Sequence, residues 1–329
     1  MSDPLVTVVV PMRNEEAGII ACLDSILANQ VQGGSIELLV LDGQSTDRSP
    51  ALVQQLAARD PRVHLLDNPA RLQADAFNLG LAHARGRYLV RMDAHTHYEP
   101  DYIAESVRLL EETGAANVGG VQRATGNTPL SRAIAAAVSS RFAAGDAAYR
   151  NATEPAWTDT VYLGAWRTDT LRQLGGMKPG WAVNEDYEMN IRLRQMDGRI
   201  YLSPTIRSTY FVRGSLPKLA RQYLRYGFWK ARTILEHPTS LRWRQMVAPV
   251  FVLSVLLTPL AIWWLGPVVG TLHLAAYLAA NIAASIITAS RSGWQHLWRL
   301  PIIFAVIHLC WGTGFLAGWC WWPFHRDAA

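Results

Sequence analysis

Three stretches near the C-terminus constrain the fold more than any other feature of the chain. Residues 247–266, 267–290 and 300–322 contain no Asp, Glu, Lys or Arg. A helix needs roughly 20 apolar residues to cross hydrocarbon, and each stretch is about that long. A soluble helix of such length keeps a polar face; these do not, which argues against buried soluble helices. They predict about three membrane-spanning helices. Trp263, Trp264, Trp294, Trp298, Trp321 and Trp322 fall near the ends of the runs, where a membrane interface favours indole. Arg242 and Arg244 precede the first run, Arg291 and Arg299 separate the second from the third, and the join at residues 265–267 is uncharged. The positive-inside rule then places everything before Val247 in the cytoplasm.

What precedes the spans is long enough for a domain with its own core. The net charge of +5 comes mostly from arginine, since Lys178, Lys218 and Lys230 are the only lysines. Such a balance suits a membrane surface, an anionic substrate or nucleic acid without separating them. No recognised nucleic-acid motif is present. Cys22, Cys310 and Cys320 have no disulfide or metal spacing, consistent with a reducing compartment. The first apolar run is interrupted by Arg13, Glu15 and Glu16, too soon for a signal peptide.

From Pro4 to about Gly126 the pattern alternates. Apolar, β-branched runs ("LVTVVVP", "IELLVLD", "RVHLLDN", "GRYLVRMD") are separated by helical spacing, as at Ile19, Ile20, Leu23 and Leu27. This predicts an α/β fold with a parallel sheet covered on both faces. Ligands bind at the carboxyl ends of such strands. Those ends carry "PMRNEE", "DGQSTD" and "DAHTH", so the three should face one crevice. Neither a G-x-G-x-x-G after the first strand nor a P-loop is present, which argues against a dinucleotide fold or a P-loop NTPase. Asp42 can accept from a ribose hydroxyl or base N–H, or serve as a turn acid; the residues leave both open. Asp93 can hold a divalent ion against a diphosphate. Glu185 and Asp186 open a helical run. They suit either the positive end of that helix or a base that takes a proton from a hydroxyl, and alone they favour the former. Gly164–Met177 can form a turn and helix or admit a sugar. Arg192 and Arg194 suit packing or phosphate neutralisation, and His97 reads as a surface residue. Leu216–His237 is basic and aromatic together, an interfacial amphipathic helix. Residues 131–150 form a weaker candidate of that kind.

The stretches "VTVVVPMRNEEAGIIACLDSI", "LLVLDGQSTDRS", "NLGLAHARGRYLVRMDAH" and "NEDYEMNIRLRQMDGRIYLSP" resemble the inverting glycosyltransferases of family 2. That family has the GT-A fold, a Rossmann-like, mostly parallel sheet with helices on both faces. The resemblance runs from Val6 to Tyr226. "RMDAH" with C-terminal spans is most similar to the bacterial exopolysaccharide branch, the succinoglycan glucosyltransferases among it.

The resemblance implies roles. Pro11, Arg13, Asn14 and Glu15 match the loop approaching the nucleotide, and Asp42 the acid that reads uracil or its ribose. Gln73 falls with the nucleotide-sugar residues. Asp93 matches the first acid of the D-x-D motif, which here reads Asp93-Ala94-His95. Asp93 and His95 would then hold a divalent metal, with Mn²⁺ suiting imidazole better than Mg²⁺. Asp186 matches the catalytic base and Glu185 its neighbour toward the acceptor. Where the family often carries Q-x-x-R-W, this chain has Gln222-Tyr223-Leu224-Arg225-Tyr226. Arg225 would neutralise departing UDP, and Gln222 and Tyr226 would meet the acceptor. The tyrosine, with so few spans, argues against long processive synthesis.

Together these imply a GT-A domain over 1–212, an interfacial region over 213–245 and a transmembrane region over 246–329. The expected enzyme is a multi-pass protein of the bacterial inner membrane with a cytoplasmic catalytic domain. It would move a hexose, glucose from UDP-glucose, to a lipid-linked oligosaccharide in exopolysaccharide synthesis. Its partners would be a UDP-sugar, a lipid-linked saccharide and membrane lipid, with no nucleic acid. A processive polysaccharide synthase and a non-catalytic scaffold are the rival readings.

Overall fold

The computed structural model describes residues 3–145, 147–212 and 214–325. The chain divides into two compact units, residues 1–123 with 147–210, and residues 124–146 with 211–328. The sequence boundary at 212 falls beside the second crossing. Residues 124–146, read within the first domain, fold with the C-terminal helices instead.

The first unit begins β1 (Val6–Met12), α1 (Ile19–Leu27), β2 (Ile36–Asp42), α2 (Ser49–Ala57), β3 (Val63–Asp67), α3 (Gln73–His83), β4 (Tyr88–Arg91), β5 (Thr96–Tyr98), α4 (Tyr102–Thr113) and β6 (Asn117–Thr125). Then come α5 (Pro129–Val138), α6 (Arg141–Ala144) and α7 (Ala148–Asn151). The first unit closes with β7 (Ala156–Thr158), β8 (Tyr162–Arg167), α8 (Thr168–Leu174), α9 (Glu185–Gln195) and β9 (Ile200–Phe211). The strands form one sheet in the order β3-β2-β1-β4-β8-β6-β9-β5, with β7 on β9. The four strands read from the sequence make its parallel half. Beyond β4 the observed pairings of β8, β6, β5 and β7 are antiparallel. Every residue of β2 is buried, which fits a strand covered on both faces. Helix α3 lies so close to β1 that a Cβ at Gly80 would sit 2.7 Å from Val9. At the sheet's other end, Glu37 is buried and accepts from Thr7 Oγ1 and from the Arg85 N–H and Nε, each at 2.8 Å for Arg85. Burial opposes the Glu37 charge, but these donors outweigh it and hold the carboxyl below its ordinary range.

Gly164–Met177 is not open to a sugar at its start. It supplies the buried strand β8, and Trp166 meets Phe77 edge-on at 5.7 Å between centroids. Arg192 serves packing: its guanidinium pairs with buried Glu188 and donates to the Leu174 and Gly176 carbonyls at 3.0 and 2.7 Å.

The second unit contains α5 and α6 together with α10 (Leu216–Glu236), α11 (Val247–Leu256), α12 (Thr258–Ser292) and α13 (Leu300–Trp321). Among the described residues, two helices are long and apolar enough to cross a membrane, Thr258–Ser292 and Leu300–Phe324. The first is broken at Gly266, whose φ of 78° and ψ of 163° lie where only glycine is comfortable. The chain reverses there. A Cβ at Gly270 would sit 2.6 Å from the Ile262 nitrogen, and Thr258 Oγ1 meets His273 Nε2 at 3.1 Å. The apolar side of α10 lies on α13. Gly314 and Gly318 bring α13 against the backbone of Leu224 and Phe228, and Gly227 does the converse at Trp311. Small residues four apart allow such close approach between apolar helices. Lys218, Arg221 and Arg225 remain exposed on α10.

Candidate active site

Three loops meet at the carboxyl ends of β1, β2 and β4. The ladder between β1 and β4 ends with Val9 opposite Arg91, and Met92 N–H donates to the Val9 carbonyl at 3.0 Å. Pro11, two residues on, faces the same neighbour and has no N–H to extend the pairing. The sheet therefore opens at this point, at the switch where β1 lies between β2 and β4.

The loop after β1 is fastened to the loop after β2. Asn14 adopts φ 55°, a left-handed conformation that Asn tolerates. Its N–H donates to Ser45 Oγ at 2.9 Å and its Oδ1 accepts from Thr46 N–H at 2.7 Å. Glu15 N–H donates to Ser49 Oγ at 2.9 Å. Asp42 is buried, and its carboxylate accepts from Ser45 N–H at 3.2 Å and from Ser45 Oγ at 2.6 Å. Arg13 is exposed.

The loop after β4 is held through its backbone. Asp93 N–H donates to Tyr98 Oη at 2.6 Å, and that hydroxyl donates to the Asp93 carbonyl at 3.1 Å. The Cys22 thiol also donates there, at 3.4 Å, and burial pushes its pKa up to about 12. None of these contacts uses the Asp93 carboxylate. Tyr162 Oη donates to Oδ2 at 3.4 Å, while Oδ1 is buried with no hydrogen-bond partner among the described residues. His95 Nδ1 lies 3.4 Å from Glu15 Oε1, and its ring meets Tyr210 edge-on. His97 is exposed on β5, as its sequence context suggests.

Arg91 joins the two halves of the crevice. It ends a buried strand and is only 5 % exposed. Its Nη2 is 3.6 Å from Asp93 Oδ1 and its Nη1 is 3.2 Å from Glu185 Oε1. Nη2 also donates to Gln73 Oε1 at 3.3 Å, so Gln73 reaches the site through this guanidinium. Burial disfavours the Arg91 charge, but Asp93, Glu185 and Asp186 outweigh it and hold the group above its ordinary value. Glu185 is buried at the head of α9. Desolvation pushes its carboxyl up to about 7, Arg91 opposes that rise, and Asp186 adds to it. Asp186 is half-buried, with Oδ1 accepting from Tyr187 N–H at 2.7 Å. Of the adjacent acids, Glu185 is buried against Arg91 and Asp186 is the more exposed. Arg91 Nε and Asn184 Nδ2 have no hydrogen-bond partner among the described residues, whereas Nη1 has the Glu185 carboxylate as its ion-pair partner. Buried orphans of this kind call for an occupant.

Sequence reasoning missed Arg91, Tyr98, Tyr162 and Asn184. Arg91 had a signal, a charge at the end of an otherwise apolar strand, where charges are almost never buried unpaired. Gln222, Arg225 and Tyr226 stand on α10 in the second unit, where Gln222 Nε2 donates to Tyr226 Oη at 2.7 Å.

Among the described residues, no group of three His, Cys, Asp or Glu could cage a metal ion. A closed protein site does not fit. Asp93 Oδ1, which accepts no hydrogen bond among the described residues and lies 3.6 Å from Arg91 Nη2, fits one contact to a cation whose other ligands come from elsewhere.

Residues 7–157 match the family model Glycosyl transferase family 2. This chain carries a family 2 glycosyltransferase domain. The chain is 29 % identical over 314 residues to the succinoglycan biosynthesis protein ExoA of Rhizobium meliloti (strain 1021), covering 94 % of this chain and 93 % of ExoA. It is 25 % identical to a dolichyl N-acetyl-α-D-glucosaminyl phosphate 3-β-D-2,3-diacetamido-2,3-dideoxy-β-D-glucuronosyltransferase of Methanococcus voltae, covering 95 % and 96 %. Among solved structures, the mannosyltransferase PcManGT of Pyrobaculum calidifontis, in complex with GDP-Man and Mn²⁺, superposes with a TM-score of 0.62. The identity is 20 %, covering 98 % of this chain and 88 % of that one. GalNAc-T7 with UDP, GalNAc and Mn²⁺ gives a TM-score of 0.51 at 17 % identity, over 68 % of this chain and 47 % of that one. The glycosyltransferase thus has the GT-A fold and an exopolysaccharide-type relative over nearly its whole length. Its β1, β2 and β4 loops lie inside the family match, whereas Glu185 and Asp186 lie beyond it.

Proposed function

We propose that this glycosyltransferase moves a hexosyl group, glucose from UDP-glucose, onto a hydroxyl of a lipid-linked saccharide, with inversion at the sugar carbon. The observation that carries the reading is Arg91. One buried guanidinium spans Asp93 at one side and Glu185 at the other, with Asp186 next in sequence. That would tie the acid we assign to the diphosphate to Glu185, the neighbour of the base we assign.

The loops after β1 and β2 would receive the nucleotide, with Asn14 and Glu15 setting the loop and Asp42 at its floor. Asp93 would hold a divalent ion through Oδ1, with His95 beside it, and the ion would neutralise diphosphate charge. The Mn²⁺ in two structural neighbours supports this reading. Asp186 takes the proton from the acceptor hydroxyl as its oxygen bonds to the sugar carbon. The bond from that carbon to the diphosphate breaks on the opposite face, and the nucleoside diphosphate leaves with the electron pair. Glu185, kept in place by Arg91, fixes the start of α9 and so positions Asp186 toward the acceptor.

A lipid-linked acceptor is supported by the dolichyl phosphate saccharide in the name of the archaeal relative and by the apolar helices. We read residues 247–265, 267–292 and 300–324 as three spans turning at Gly266. The arginines before and between them support a cytoplasmic catalytic domain. The test is nucleotide release by the purified full chain in detergent, with UDP- and GDP-linked hexoses, with and without lipid-linked saccharides. Release from UDP-glucose that rises with a lipid-linked acceptor is expected. Faster turnover of a GDP-sugar would overturn the donor, and indifference to the acceptor lipid would overturn the acceptor class.

A further inference from the structure

A pocket of about 520 Å³ lies in the second unit, remote in sequence from the loops described above. Pro129, Arg132, Gln295, His296, Trp298 and Arg299 line it. It forms because α12 stops at Ser292, Gly293 turns the chain at φ 119°, and a short 3-10 turn, Trp294–His296, intervenes before α13. Ala133 and Ile134 of α5 pack with Leu300, Ile303 and Phe304 of α13 in one apolar cluster. The polar residues are left at the cluster's edge.

The chemistry of the pocket is cationic and unbalanced. Among the described residues no carboxylate lines it, and neither 124–138 nor 291–300 contains an acid. Arg299 lies over Trp298, with Cζ 3.9 Å from the ring centroid, and donates through Nη1 to the Gln295 carbonyl at 3.2 Å. His296 is 4 % exposed, and its Nδ1 has no hydrogen-bond partner among the described residues. Burial, then Arg299, then Arg132 hold the imidazole below its ordinary value, so both guanidiniums act on the same ring. Gln295 Nε2 lies 3.4 Å from His296 Nε2; in the tautomer that accepts there, Nδ1–H is a buried donor without a partner, and such a donor near two cations asks for an anion. The flanking helices are apolar, and Trp294 and Trp298 are 60 % and 66 % exposed, as indoles at a membrane surface are.

We propose that this pocket binds the phosphate of an anionic membrane lipid headgroup. The inference rests on the membrane anchorage argued above but not on the identity of the sugar donor. Basic pockets between apolar helices recognise such headgroups by charge and N–H donors. Arg132 and Arg299 hold the phosphate oxygens, His296 donates from within the pocket, and Trp298 orients Arg299.

The test uses the full chain in detergent, titrated with phosphatidylglycerol or phosphatidylcholine, with bound lipid counted by native mass spectrometry. Wild-type protein should prefer phosphatidylglycerol. Arg132→Gln with Arg299→Gln should weaken that binding roughly tenfold or more, and Arg132→Lys with Arg299→Lys should keep most of it. Inorganic phosphate is the second arm. Displacement at millimolar phosphate would support an anion site filled by the free ion, and no displacement would assign it to the lipid headgroup. A folded glutamine variant that binds phosphatidylglycerol like wild type, or a wild type without headgroup preference, would overturn the proposal. Recovery of the protein in the soluble fraction without detergent would overturn the anchorage and this inference with it.

Discussion

Arg91 carries an expectation that depends on pH. Arg91→Met keeps the length of the side chain and removes its charge. Asp93 and Glu185, 3.6 and 3.2 Å from the guanidinium, then lose their cation in a buried site. Breaking such a pair by removing one partner costs about 3–5 kcal/mol. Part of that cost is titratable. Glu185 has its pKa raised from 4.5 to about 7. A raised acid contributes stability that is full below the unfolded pKa and is lost as pH rises through the folded one. In the wild type that loss is over just above pH 7. Arg91 lowers this pKa, so without it the Glu185 carboxyl titrates higher still. The variant goes on losing stability above pH 7, by at most about 1.4 kcal/mol per pH unit. For a domain of this size that widens the melting gap by a few degrees per unit, at about 2–4 °C per kcal/mol. The assay is thermal unfolding in detergent of wild type and Arg91→Met between pH 6 and 9. Adding Glu185→Gln to the variant should remove the pH-dependent part of the gap. A gap equal at pH 6 and 9 would show that Glu185 and Arg91 are not coupled, and the positioning argument for Asp186 would fall.

Other outcomes follow from single sites. Asp186→Asn should lower transfer by at least about 100-fold while UDP binding stays within a few-fold, since the shape is kept and the base lost; near-normal turnover would remove Asp186 from that role. His95→Asp should shift the metal preference from Mn²⁺ toward Mg²⁺, read as initial rate against metal concentration, and an unchanged preference would mean that His95 does not touch the ion. Gly266→Ala should destabilise the helical unit by about 1–3 kcal/mol, because φ 78° with ψ 163° strains any residue with a Cβ; an unaltered melting profile would contradict the turn. Glu37 has a lowered pKa, so its stabilisation is present above 4.5 and is lost as pH falls through the folded value. Glu37→Gln should therefore melt lower than wild type at pH 7 and approach it in acid, and a gap constant with pH would refute the network.

The parallel half of the sheet, β1 to β4, was legible in the sequence because each strand is a continuous apolar run flanked by helical spacing. Its carboxyl ends could be named for the same reason, since a parallel sheet delivers them all to one side. Asp42, Asp93 and Asp186 were found as acids at strand or helix ends, before any geometry. The uncharged runs near the C-terminus needed only length and composition. What tertiary structure decided was which charge meets which. Strands β8 and β9 pair antiparallel with distant partners, and nothing local in "YLGAWR" says that it will lie beside β4. That pairing sets Tyr162 against Asp93, and the fold sets Glu185 beside Arg91, 94 residues apart in sequence. The same holds for residues 124–146, which interrupt the first unit yet pack with α13 because Ala133, Ile134, Ala137 and Val138 find their apolar partners there. Local periodicity reports which face of an element is apolar, whereas burial energy depends on the surface that covers it, and that surface is chosen only when the whole chain is folded.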